Sequence, residues 1–96
     1  MKSKNDIILY MENLSKIKKL RSLIDKTDKI IIKNLEKRFE IVKKLGKVKK
    51  NLRLSIVDKK REKEVFENIK KYSKKYKKEI GEIYKKIIEN SKKVQR

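Results

Sequence analysis

From Leu14 onward the apolar residues fall on a seven-residue repeat, with Leu14, Ile17, Ile24, Ile31, Leu35, Val42, Leu45 and Leu52 on one a/d seam. No proline interrupts the stretch, and Gly46 is its one glycine. The pattern predicts a single helix over about residues 12–53, with residues 1–11 as an N-terminal extension ahead of it. About 40 residues at 1.5 Å each would reach roughly 60 Å. A compact chain of this length has a radius of gyration near 12–13 Å. The remaining residues are too few to cover such a helix, so its overhang is expected to bury itself against a second copy, in a homodimer.

After Leu52 the segment Arg53-Leu54-Ser55-Ile56-Val57-Asp58 breaks the period, and Asp58 is placed to cap a second helix that begins near Lys59. That helix, about 59–73, carries Val65, Phe66, Ile69 and Tyr72 on one face. A third, about 78–95, is marked by Ile80, Tyr84, Ile87, Ile88 and Val94. The turn between them is placed near Ser73 to Lys78, where neither glycine nor proline punctuates the chain. The expected fold class is all-α, one domain over residues 1–96, with three helices of which the first is very long.

Composition then removes most chemistries. Cysteine, histidine, tryptophan and proline are absent, so there is no disulfide, no thiolate or imidazole metal ligand, no cysteine nucleophile and no histidine base. Two glycines, Gly46 and Gly81, cannot form a phosphate-cradling loop. Apolar residues make up 36% of the chain, enough for a small core. The formal charge of +19 points towards nucleic acid. Against that, 27 of the basic residues are lysines spread along the chain and five are arginines, without the clusters or stacking aromatics that nucleic-acid recognition favours. No specific nucleic-acid partner is expected. The apolar run Ile7–Met11 is too short for a secretory core, and no stretch is long enough to cross a membrane. A soluble cytoplasmic protein is the default expectation.

The informative feature is what interrupts the seam. Arg21, Asp28, Arg38 and Lys49 occupy a and d positions where Leu or Ile is expected, and cations in an apolar seam need partners. One such residue alone is well explained as a register-setting polar group. Three cations on one seam, in a chain with few arginines, favour an anionic ligand. Arg38 and Lys49 lie 11 residues apart, about 20° of rotation and roughly 16 Å of rise, so both can lean on one small molecule. Arg21 precedes Arg38 by 17 residues, about 25 Å and about 100° away, and cannot reach that ligand from the same helix. With antiparallel long helices in a dimer it could enter the partner's site.

Taken in order, Leu20-Arg21-x-x-Ile24-Asp25-x-x-Asp28, Arg38, Gly46-x-x-Lys49, Asp58-x-x-Arg61-Glu62 and Ile87-Ile88-Glu89-x-Ser91-x-x-x-Gln95 resemble the all-helical chorismate mutases, over about Leu14 to Gln95. That family forms intertwined three-helix homodimers and rearranges chorismate to prephenate, at the branch leading to phenylalanine and tyrosine. The resemblance implies that Arg21 from the partner chain and Arg38 hold the two substrate carboxylates. It implies that Lys49 and Gln95 donate to the ether oxygen, and that Glu62 and the backbone near Asp58 bind the ring hydroxyl. Arg61 would add positive charge near the carboxylates, and Ser91 would hydrogen-bond one of them. No cofactor and no metal is implied. A pericyclic rearrangement needs neither nucleophile nor proton transfer, which agrees with the missing residue types.

Plainer readings of the same residues stand beside these. Asp58 suits a helix cap, Arg61 and Glu62 suit solvated first-turn charges, Ser91 could bond back to its own helix, and Gln95 could be a frayed terminal amide. Two functional alternatives also stand. One is an isochorismate pyruvate-lyase of the same fold, against which Glu62 after Arg61 speaks. The other is a lysine-rich helical nucleic-acid-binding protein without catalysis.

Overall fold

Ser3 and Asp6 start the first helix by exchanging hydrogen bonds. The Ser3 amide donates to Asp6 Oδ2, and the Asp6 amide donates to Ser3 Oγ, each at 3.2 Å. This reciprocal cap satisfies two of the amides that a helix start leaves without partners. In the computed structural model, which describes residues 3–96, helix α1 accordingly runs Lys4–Asn51. It begins about eight residues ahead of the start expected from the heptad, so most of the expected extension is helix. The seam begins at Leu14, but the start of a helix is decided by its cap.

At the other end the helix stops at Asn51 because Arg53 turns left-handed, with φ 56°. The Arg53 amide donates to the Lys50 carbonyl at 3.1 Å and the Leu54 amide to the Lys49 carbonyl at 2.8 Å. These are the two bonds of a Schellman ending, with arginine standing where glycine is usual. Asp58 caps α2, Lys59–Tyr72, its Oδ1 accepting from the Arg61 amide at 3.0 Å. Ser73 closes that helix by donating its amide to the Ile69 carbonyl at 2.9 Å. The chain then turns through Tyr76, also left-handed with φ 59°, into α3, Lys77–Gln95. The turn thus lies between Ser73 and Tyr76, within the expected stretch Ser73 to Lys78. No strand occurs among the described residues.

By backbone contacts the chain divides into two units, Met1–Glu36 and Lys37–Arg96. In the first unit every described residue is exposed except half-buried Leu35, including the apolar Leu14, Ile17, Leu20, Ile24 and Ile31. The second unit holds the buried core, one residue from each helix: Val42, Ile69 and Ile88. Gly46 is buried there as well. A Cβ built on it would lie 2.8 Å from both the Cα and the carbonyl oxygen of Gln95. The two helix backbones approach so closely at this point that only glycine fits without displacement.

Candidate active site

The last four turns of α1 and the last turns of α3 carry several polar groups of the second unit. Arg38 is half-buried, and its guanidinium donates to Ser91 Oγ at 2.6 Å. Ser91 is the buried polar residue of this unit. Its hydroxyl donates in turn to the Ile87 carbonyl at 2.6 Å, so its proton is committed to its own helix and its oxygen remains an acceptor for Arg38. Three turns further along α1, Lys49 Nζ donates to Gln95 Oε1, one turn after Ser91, at 3.0 Å and to the Ile56 carbonyl at 3.2 Å. Since Gln95 accepts through Oε1, its amide nitrogen is the end left to donate, and its nearest partner is the Ser91 carbonyl at 3.4 Å. The close approach at Gly46 brings Gln95 within reach of Lys49, which lies one helical turn after that glycine.

Helix α2 contributes the acidic member. Lys92 Nζ of α3 lies 2.7 Å from Glu62 Oε1, while Lys59 Nζ is 3.7 Å from Oε2. Oε2 is shielded from solvent and has no hydrogen-bond partner. The Lys92 hydrogen bond, helped by the charges of Lys59 and Lys92, holds the Glu62 carboxyl below its ordinary value, although burial alone would raise it. Asp58, besides capping α2, stands at the same opening, and exposed Arg61 pairs with Glu64 at 3.1 Å.

These groups surround a cavity of about 140 Å³ whose apolar wall is Leu45, Ile56, Val65 and Ile88. Seven of the eight residues singled out from the sequence line it: Arg38, Lys49, Asp58, Arg61, Glu62, Ser91 and Gln95. Arg21 belongs to the first unit, where it is exposed. A larger cavity of about 470 Å³, with Asn68, Ile69, Tyr72, Ile80 and Tyr84 in its wall, shares Arg38, Arg61 and Val65 with the first. Arg38 and Arg61 therefore stand where the two cavities adjoin. Such a site can hold a small dianion with a hydroxyl group, offering cations to the carboxylates and one ionised acceptor to the hydroxyl.

Sequence reasoning missed Lys92, which lies outside the apolar stripe of α3 and sits among many other lysines. No spacing rule marks it. Among the described residues no group of three or more Asp, Glu, His or Cys side chains is gathered to hold a metal ion. Among them, too, no helix is long and apolar enough to cross a membrane.

Comparison with known proteins gave three results. The sequence model of the family described as chorismate mutase type II matches residues 20–96. A conserved hypothetical protein from Pyrococcus furiosus is a similar solved structure, with TM-score 0.73 and 47% sequence identity, covering 84% of this chain and 96% of that one. No curated protein matches the chain.

Proposed function

The chain belongs to the chorismate mutase type II family, and we propose that it is itself a mutase that rearranges chorismate to prephenate. The observation that carries this reading is the pairing of Lys49 with Gln95 at 3.0 Å, residues 46 apart in sequence, on the same cavity as the Arg38–Ser91 pair. The reaction breaks the ether C–O bond and forms a C–C bond in one concerted step, with no proton to move. Catalysis then consists of holding the flexible dianion in its folded shape and favouring the charge that gathers on the ether oxygen.

Arg38 suits the first task because its planar fork matches a carboxylate, and Ser91 orients that fork from below. Lys49 suits the second, since a positioned ammonium interacts more strongly with the developing oxyanion than with the neutral ether. The Gln95 amide nitrogen is the second donor to that oxygen. Glu62 accepts the ring hydroxyl, with Asp58 beside it, and Arg61 adds positive field at the opening. The excess positive charge of the chain draws in a dianion.

Arg21 completes the site from a second copy. The exposed apolar seam of the first unit, Leu14 to Ile31, supports a homodimer in which each site combines Arg21 of one chain with Arg38 and Lys49 of the other. The product leads towards phenylalanine and tyrosine.

The test is loss of chorismate ultraviolet absorbance on adding purified protein, with prephenate identified as product. Turnover of isochorismate to pyruvate and salicylate instead would make the protein a lyase. Turnover of neither would remove the catalytic reading. Chains carrying Arg21→Ala and Arg38→Ala, each inactive alone, should recover activity when refolded together, because each heterodimer regains one intact site. No recovery would refute the shared-site arrangement.

A further inference from the structure

Ser91 and Lys92 are neighbours on α3, and each ties a different helix to it: Ser91 receives Arg38 of α1, and Lys92 reaches Glu62 of α2. The second link is more than a surface ion pair. The side chains of Lys92 and Glu62 are 24% and 20% exposed, whereas Lys59, the other cation near that carboxylate, is 81% exposed and 1.0 Å more distant, at 3.7 Å against 2.7 Å. An exposed lysine at such a distance is screened by solvent and contributes less than the Lys92 hydrogen bond. The half-buried pair is the tighter hold on this carboxylate. With Oε1 taken by Lys92, Oε2 is shielded from water, makes no hydrogen bond and has Lys59 as its ion-pair partner at 3.7 Å. A buried carboxylate oxygen without a hydrogen bond is costly, so the Lys92 bond to Oε1 carries much of what keeps Glu62 in place.

We propose that Lys92 is a positioning residue of this site: its ammonium, bonded to Oε1, holds Glu62 in place at the cavity as the acceptor for a substrate hydroxyl. The proposal rests on the mutase reading and extends it to a residue outside the apolar stripe and the seam. Its consequence is selectivity. A site with several cations and one ionised carboxylate held in place favours a ligand that presents a hydroxyl there, and disfavours one that presents a further carboxylate or nothing.

Other charged groups near Glu62 act on the same carboxylate. On its own helix these are Lys59 and Arg61, with the cap Asp58. Helix α1 brings Arg38 and Lys49 to the same cavity, and α3 brings Lys85 and Glu89 to the neighbouring hollow on the far side of Glu62. Lys92, at 2.7 Å, makes the hydrogen bond that is the largest influence keeping the carboxyl ionised, and Lys59 acts more weakly in the same direction.

Two measurements on Lys92→Met, Lys92→Arg and a Lys59→Met control test this. The first is the titration of the Glu62 carboxyl carbon by NMR, which needs no turnover. In Lys92→Met the Glu62 midpoint should rise, because the hydrogen bond that favours the carboxylate is gone while burial remains. Lys92→Arg should keep it near the parent position. The second is the pH profile of kcat/KM for chorismate. Lys92→Met should fall by about tenfold or more, with its acid limb displaced to higher pH, and Lys92→Arg should recover most of the loss. Lys59→Met should raise the Glu62 midpoint less than Lys92→Met does and leave kcat/KM close to the parent. An unmoved Glu62 midpoint overturns the proposal. So does a loss in Lys92→Met that is equal at every pH and not recovered by arginine, which would make Lys92 a packing residue. Should Lys92→Met fail to fold, Lys92→Gln takes its place in both measurements. A parent that does not turn over chorismate refutes the mutase reading instead, and the NMR titration then decides the Lys92–Glu62 link separately.

Discussion

Gly46→Ala sets two effects of opposite sign against each other. Alanine in a helix interior is favoured over glycine by about 1 kcal/mol, so helix propensity alone predicts a more stable protein with unchanged activity. The structure predicts otherwise. The new methyl group would meet Gln95 Cα and O at 2.8 Å, and both are backbone atoms, which cannot rotate aside. Ordinary contact begins at 3.4 Å, so restoring it requires the helices to separate locally by about 0.6 Å. The end of α3 is the easier part to displace, since its last carbonyls lack partners within the helix. A displacement of that size along the Lys49–Gln95 bond would stretch it from 3.0 Å to about 3.6 Å, beyond hydrogen-bond range.

Overpacking costs about 1–3 kcal/mol and largely cancels the propensity gain, leaving Tm within several degrees of the parent. The ether-oxygen donors, however, are misplaced. A displacement approaching 1 Å at a catalytic group costs up to about a hundredfold, so kcat on chorismate should drop by roughly ten- to a hundredfold. Thermal unfolding followed by circular dichroism, together with the chorismate absorbance assay, measures both. A Gly46→Ala protein with a raised Tm and parental kcat would refute the reasoning, and with it the coupling of this helix contact to Gln95.

Two further predictions follow the same logic at other points of the fold. A glutamine amide donates at any ordinary pH, so the parent rate should stay nearly flat from about pH 5 to pH 9. Gln95→Glu can donate only while protonated and should work best in acid and lose activity as pH rises; identical, pH-independent rates in both proteins would show that residue 95 is not at the reacting oxygen. Arg53→Gly should stabilise the protein by about 0.5–1 kcal/mol, because residue 53 ends α1 at φ 56°, where a side chain is strained and glycine is not. An unchanged or lowered unfolding midpoint in urea would count against that account of the helix end.

Local features of the chain were enough for the three helices. Apolar residues recurring at three- and four-residue spacing report a helix face without knowledge of what covers it, and the absence of strands among the described residues follows from the same periodicity. The candidate cations were legible for a related reason: Arg38 and Lys49 stand out because a seam of Leu, Ile and Val makes a charge conspicuous. Some local decisions were not legible. The cap at Ser3 and Asp6, which moves the start of α1 ahead of the heptad, lies outside the repeat. The left-handed Arg53 that stops the helix carries none of the glycine signal that usually marks such a position.

The partners were decided by tertiary structure. Arg38 meets Ser91 across 53 residues, Lys49 meets Gln95 across 46, and Glu62 meets Lys92, a lysine indistinguishable in sequence from its many neighbours. Periodicity reports the angle of a residue about its own helix axis. Whether two polar groups on different helices come within 3 Å depends also on how far one helix slides along another and how closely their backbones approach. In this protein the Gly46–Gln95 contact and the packing of Val42, Ile69 and Ile88 decide both, through interactions that carry no repeat of their own.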